Sequence, residues 1–134
     1  MKAKIFMLML LVAGTLSAQN RLTLIVEGIE EPSGQLMVGL YDKESFMKKP
    51  VAVQMVKVNA ETVVVVFENV PSGEYALSLF QDENSNGKLD AGLFGIPTEK
   101  YGFSNNAKGK YGPPSYEACR FTVDGDLEIN ILLE

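Results

Sequence analysis

The chain has 134 residues, 12 of them Lys or Arg against 17 Asp or Glu, with no histidine and a single cysteine. That length suits one domain, and an acidic balance without a basic cluster excludes nucleic acid and anionic membrane surfaces as partners while suiting cations. The absence of histidine removes the usual general base of Ser and Cys hydrolases and the commonest ligand of zinc and copper sites.

Residues 1–18 read as a secretory signal. Lys2 and Lys4 form a basic start, Ile5 to Val12 is a short apolar core, and Ala13 to Ala18 offers small residues for cleavage before Gln19. The apolar run is too short to span a bilayer comfortably, which disfavours an uncleaved anchor. No cysteine follows it, which disfavours a lipid anchor. No other segment is long and apolar enough to span a bilayer, so the expected location is periplasmic or extracellular. Cleavage removes the two lysines and no acid, taking the formal charge from −5 to −7.

Residues 19–134 read as strands. Arg21–Ile29 alternates, with Leu22, Leu24 and Val26 on one face. After the turn residues Glu30 to Gly34, Gln35–Tyr41 alternates through Leu36, Val38 and Leu40. The stretch Asp42–Met47 reads either as one helical turn capped by Asp42 or as an irregular crossover. Val51–Val58 and Thr62–Phe67 follow. The second of these, TVVVVF, is almost wholly β-branched, which suggests a strand packed on both faces or near a sheet centre. A Pro71-Ser-Gly73 turn leads into Glu74–Phe80, which alternates through Tyr75, Leu77 and Leu79. Ala118–Val123 and Leu127–Leu133 close the chain, joined by Asp124-Gly-Asp126. Cys119, Phe121 and Val123 would share one face, making Cys119 a buried, unreactive thiol. Leu127, Ile129, Ile131 and Leu133 mark the buried face of the last strand. The expectation is an all-β, antiparallel β-sandwich of about seven strands, immunoglobulin-like or transthyretin-like. A mature chain of about 115 residues can bury one such core.

The segment 82–117 is the exception. It is too long for an ordinary connection and carries Leu93, Phe94, Ile96, Tyr101, Phe103, Tyr111 and Tyr116, too apolar to leave in water. It is expected to fold back over the sandwich as a lid.

That segment opens with Asp82-Glu-Asn-Ser-Asn-Gly-Lys-Leu-Asp90. Counted from Asp82, side-chain oxygens stand at positions one (Asp82), three (Asn84), five (Asn86) and nine (Asp90). Gly87 is sixth, and Lys88 offers its carbonyl at seven. This is the spacing of an EF-hand-type Ca2+ loop, whose hard cation trades its water shell for carboxylate and carbonyl oxygens. Position twelve, which should be a bidentate glutamate, is Leu93, and no helices flank the loop. Glu99, Glu83 or water would have to complete the shell, for weak binding in the ~10⁻⁴–10⁻³ M range. The competing reading is a metal-free turn, since Asn86-Gly87 is a strong turn dipeptide and Asx side chains bond their own backbone. Acid pairs also run glycoside hydrolysis, and Asp82, Asp90, Glu99 and Glu117 are the available carboxylates. Ser72, Ser104 and Ser115 have no histidine to activate them.

The ordered set DENSNGKLD, Gly95-Ile-Pro-Thr-Glu99, Tyr101-Gly-Phe-Ser104, Asn105-Asn-Ala107 and Gly112-Pro-Pro-Ser-Tyr-Glu117 resembles a group of exported bacterial proteins, domain-of-unknown-function family 2141. The likeness covers essentially the whole mature chain. It implies a signal peptide and a small β-domain, and no established activity. Phe67 to Tyr75 (FENVPSGEY) is similar to the strand–turn–strand of transthyretin-like and carboxypeptidase-regulatory-like sandwiches, whose tyrosine packs inward. Related surface repeats carry a similar calcium loop closed by a glutamate where this chain has Leu93.

The leading expectation is an exported, non-enzymatic β-sandwich with a structural or binding role, an acidic loop for Ca2+, and an envelope protein or glycan as partner. Tyr101, Phe103, Tyr111 and Tyr116 could stack on sugar rings, with burial expected for at least half of them. The alternatives are a small-molecule carrier with an apolar pocket beneath the lid, and a carboxylate-based hydrolase.

Overall fold

A computed structural model describes residues 19–84 and 99–134. Among these residues eight strands form two sheets. The first sheet has the order β4-β1-β8, with β1 Gln19–Glu27, β4 Val63–Pro71 and β8 Leu127–Leu132. The second runs β3-β2-β5-β6, with β2 Gln35–Tyr41, β3 Ala52–Lys57, β5 Gly73–Asp82 and β6 Tyr101–Phe103; β7 (Phe121–Val123) pairs with the opposite end of β5. The alternation that predicted inward faces holds. Leu22, Leu24 and Val26 of β1, Leu36, Val38 and Leu40 of β2, and Leu77 and Leu79 of β5 are buried in one core between the sheets. The result is the expected all-β sandwich.

Several details depart from the sequence reading. The sheet is not wholly antiparallel: β8 runs parallel to β1, pairing Leu22 with Leu127 through Glu27 with Leu132. This follows from Asp124-Gly-Asp126, which carries the chain from one sheet to the other instead of making a hairpin. The crossing is pinned by the buried Asn20, whose Oδ1 accepts the Gly125 N–H at 3.1 Å, and by Asp126, which accepts the Arg21 N–H at 2.8 Å. The β-branched run at 62–67 does not lie at a sheet centre. It is the edge strand β4, with Val64 55% exposed. A bulge interrupts its pairing, where Glu68 and Asn69 fall between the partners of Leu22 and Asn20, and Asn69 takes φ 56°.

Ala118 and Cys119 are not in a strand. They finish a helical turn, α1 (Tyr116–Cys119), whose N-cap Ser115 accepts the Ala118 N–H on its side chain at 3.3 Å. Cys119 is nonetheless fully buried. The 42–47 stretch forms irregular turns without a helix. Asp42 does cap them: its Oδ1 accepts the Ser45 N–H at 2.8 Å while Ser45 Oγ accepts the Asp42 N–H at 3.1 Å.

The β4–β5 crossing carries one further device. Tyr75, half-buried against the main core, donates its hydroxyl to the Pro71 carbonyl at 2.7 Å. This is the tyrosine-corner arrangement of immunoglobulin-type sandwiches. It matches the inward tyrosine expected from FENVPSGEY.

Candidate functional site

The predicted site residues lie on the segment that leaves β5 at Asp82 and returns at Glu99. Asn86, Lys88 and Asp90 lie outside the described residues. Asn84 sits exposed in the turn after β5, whereas Asp82 and Glu99 are both buried. The two buried acids occupy the base of the segment, where the Gln81 N–H bonds the Lys100 carbonyl at 2.9 Å and draws the outgoing and incoming chains together. Glu99 Oε2 accepts the Glu83 N–H at 2.7 Å, and Gln35 Nε2 donates to Asp82 Oδ2 at 3.3 Å. The fully buried Gln81 amide donates to the Glu31 and Ser33 carbonyls, at 2.7 and 3.1 Å, and so fixes the β1–β2 loop beside them. Gly34 closes that loop at φ 63°, and a Cβ there would stand 2.0 Å from the Asp82 carbonyl oxygen. Only glycine permits this approach. Among the described residues, no three acidic or thiol groups converge as a metal-binding cluster.

The aromatic candidates divide. Phe103 and Tyr116 are buried, while Tyr101 is 41% and Tyr111 94% exposed. Phe103 and Tyr116 belong to a second apolar cluster, with Ala76 and Cys119, against which Phe46 and Ala107 pack. It lies beside β5, apart from the inter-sheet core. Aromatic contacts extend it outward: Tyr41 meets Phe46 edge-on at 5.9 Å, and Phe46 meets Tyr116 at 5.6 Å. Burial pushes the Tyr116 phenol up to about 12, with the facing Glu74 carboxylate the next contributor. The hydroxyl itself makes no hydrogen bond of good geometry among the described residues.

Ser104 joins the parts. β6 and β7 share one edge of β5, covering Ser78–Phe80 and Gly73–Tyr75 and leaving a gap at Ala76 and Leu77. The Ser104 hydroxyl fills that gap. It accepts the Leu77 N–H at 2.9 Å and donates to the Cys119 carbonyl at 2.5 Å, fully buried. Asn105 and Asn106 both take left-handed backbone angles, φ 62° and 50°, which asparagine tolerates better than most residues. Asn105 Nδ2 donates to the Ala118 and Arg120 carbonyls at 3.2 and 2.9 Å, tying down α1. Asn106 Oδ1 accepts the Leu132 N–H of β8 at 2.9 Å. Tyr101 exchanges backbone bonds with Glu134, at 3.0 and 3.2 Å, so β6 stitches one sheet to the other. Gly102 allows this closure, since a Cβ would meet Ile131 Cγ2 at 2.9 Å.

A family model described as "uncharacterized protein conserved in bacteria (DUF2141)" matches residues 24–130. The chain belongs to the DUF2141 family. No curated protein and no solved structure matches it. The DUF2141 span takes in the loop base, the Ser104–Asn106 hub and the tyrosine corner, three places where described residues pin the fold. The structural role of Ser104 and of the two asparagines was not legible beforehand, because the groups they bond are 13 to 27 residues away in the chain.

The structure also assembles a surface feature that the sequence reading did not define. A groove of about 400 Å³ is lined by Tyr101, Phe103, Ala107 and Leu132 on its apolar side, with Asn106, Lys108 and Glu134 at its polar side. Lys108 and Glu134 form an ion pair across this region. No helix among the described residues is long and apolar enough to cross a membrane.

Proposed function

We propose that this protein is an exported, non-catalytic β-sandwich module with a structural or binding role, whose 82–90 loop takes up Ca2+ and so fastens the 82–117 segment. One observation carries the reading: four polar side chains of the signature segment, Glu99, Ser104, Asn105 and Asn106, bond the protein's own backbone. Ser104, Asn105 and Asn106 hold α1, β5 and β8 together, and Glu99 holds the Glu83 N–H. Groups committed in this way are fold supports, not an acid–base pair poised over a substrate. Calcium is supported by the burial of Asp82 and Glu99, which stand where the chain leaves β5 and where it returns. Carboxylate oxygens are the ligands that a hard cation such as Ca2+ takes.

Calorimetry with CaCl2, on the wild type and on Asp82→Asn, tests the metal. Heat and a calcium-dependent rise in melting temperature are expected from the wild type, both lost in the variant. No heat from the wild type removes the metal reading. A glycan-substrate screen with Asp82→Asn and Glu99→Gln tests the non-catalytic reading. Turnover that disappears in those variants would replace it with a carboxylate-based hydrolase.

The groove beside Tyr101 favours a second reading, a glycan or small-molecule binder that stacks a ring on Tyr101. A ligand co-purifying in native mass spectrometry and released by Tyr101→Ala would establish it.

A further inference from the structure

The two sides of the sandwich treat their strand edges differently. On one side β6 and β7 are only three residues each, β6 is bonded to Glu134, and the Leu132 N–H of β8 is taken by Asn106. On the other side stand β3 and β4. The β4 edge is interrupted by its bulge and bracketed by Glu61 and Glu68. β3 has no bulge, and the charges that bracket it are lysines, not acids. It pairs with β2 in unbroken register from Ala52↔Leu40 to Lys57↔Gln35, contains no proline, and among the described residues ends its sheet. Unbroken open edges are templates for strand addition.

Its side chains are unusual for such an edge. Val53 is 50% and Met55 58% exposed. Met55 ends an outward-facing row that runs Tyr101–Phe80–Met37–Met55 across four strands by register. An added strand would continue this row.

Charge selects the occupant. Residues 48–60 hold Lys48, Lys49 and Lys57 and no acid, in a chain whose net charge is negative. All three lysines are exposed, and none forms an ion pair among the described residues, whereas Arg21, Lys100, Lys108 and Arg120 each do. A second copy pairing antiparallel about Gln54 would set Lys57 opposite the other copy's Val51 and diagonal to its Lys49, bringing like charges near each other. Lysines on an edge discourage self-pairing.

We propose that the free edge of β3 is a docking site for an extended segment of another protein, apolar at alternate positions and acidic at its ends. The segment would add as a further strand beyond β3, with its apolar side chains beside Val53 and Met55 and its acids beside the lysines. This deepens the binding-module reading and depends on neither the calcium loop nor the Tyr101 groove.

The test uses the purified protein and a short acetylated peptide of alternating valine and threonine between paired glutamates, with a lysine-ended version as control. The expected result is binding of the acidic peptide that weakens as ionic strength rises, with new exchange protection confined to β3 amides. Reversing Lys48, Lys49 and Lys57 to Glu weakens it about tenfold, as three rim charge pairs should, and shifts preference to the lysine-ended peptide. Met55→Lys, a second surface change, also weakens binding. Thermal melts check that both variants fold. Equal binding of both peptides, protection on strands other than β3, or no binding of either overturns the proposal. So does self-association of the protein that Met55→Lys dissolves, because the occupant would then be a second copy.

Discussion

The two apolar clusters of this protein are built on different principles. The inter-sheet core gathers Leu22, Leu24, Val26, Leu36, Val38, Leu40, Leu77, Leu79 and their neighbours from six strands. It is specified by period-two alternation and stabilised by buried apolar area. The smaller cluster of Ala76, Phe103, Tyr116 and Cys119 draws on one strand residue of β5, the short β6 and the helical turn α1. It has too little area to order those pieces alone. Hydrogen bonds from Ser104 and Asn105 to backbone groups of β5 and α1 do much of the ordering. A large cluster can lose one contact and persist, whereas a small pinned one depends on each pin.

The largest effect should come from the first cluster. Leu24 is fully buried on the central strand of its sheet. Leu24→Ala should lower stability by about 3 kcal/mol, from lost transfer and the cavity left behind, as read by urea denaturation. Amide exchange should speed up throughout the chain, because this core is shared by both sheets.

Ser104→Ala should cost about 2 kcal/mol, since it strands a buried N–H of Leu77 and a buried carbonyl of Cys119. Here the distribution matters more than the size. Exchange should accelerate at β6, α1 and the middle of β5 while Leu24 stays protected. If Leu24 loses protection in step with α1, the two clusters are one cooperative unit and the distinction fails.

Asn105 separates conformation from bonding within the pinned region. Asn105→Ala loses two hydrogen bonds and places a Cβ-bearing residue without a polar side chain at φ 62°. A loss of about 1–2 kcal/mol is expected in the thermal melt. Asn105→Gly keeps the backbone unstrained and loses only the bonds to exposed carbonyls, so about half that loss should remain. Equal losses would mean that left-handed strain contributes nothing there.

The contrast also explains what could be read in advance. The inward faces of β1, β2 and β5 were legible because alternation is local and each strand carries it independently. The parallel pairing of β8 with β1 was not, since it depends on where Asp124-Gly-Asp126 aims the chain, and that is set by Asn20 and Arg21 more than a hundred residues earlier. TVVVVF pointed to a strand packed on both faces or near a sheet centre, because β-branching reports strand preference and says little about neighbours on either side. The sequence EACRFTV is ambiguous in the same way. Ala118 and Cys119 fit a strand until Ser115 caps a helical turn and Ser104 takes the Cys119 carbonyl. At the candidate loop, Asp82 and Glu99 could be read as oxygen donors, but not their burial, which the distant Gln81 and Gly34 contacts enforce.

Cys119 offers the gentlest probe of the smaller cluster. Burial pushes its thiol up to about 11 from an ordinary value of 9.0. A raised folded value for an acid that is neutral when protonated means the native state holds its proton more tightly than the unfolded chain. The stabilisation is therefore complete below pH 9 and declines as pH rises from 9 through 11. At neutral pH nothing should change. Above pH 9, wild-type stability should fall more steeply than that of Cys119→Ala or Cys119→Ser, after the constant cost of each substitution is subtracted. A thiol reagent at pH 8 should modify the native protein far more slowly than the urea-unfolded chain, because both burial and a scarce thiolate oppose it. Ser104→Ala should speed that modification without exposing the inter-sheet core, if the pinned cluster opens on its own. Modification that accelerates only as the whole chain unfolds would show that the small cluster never opens separately.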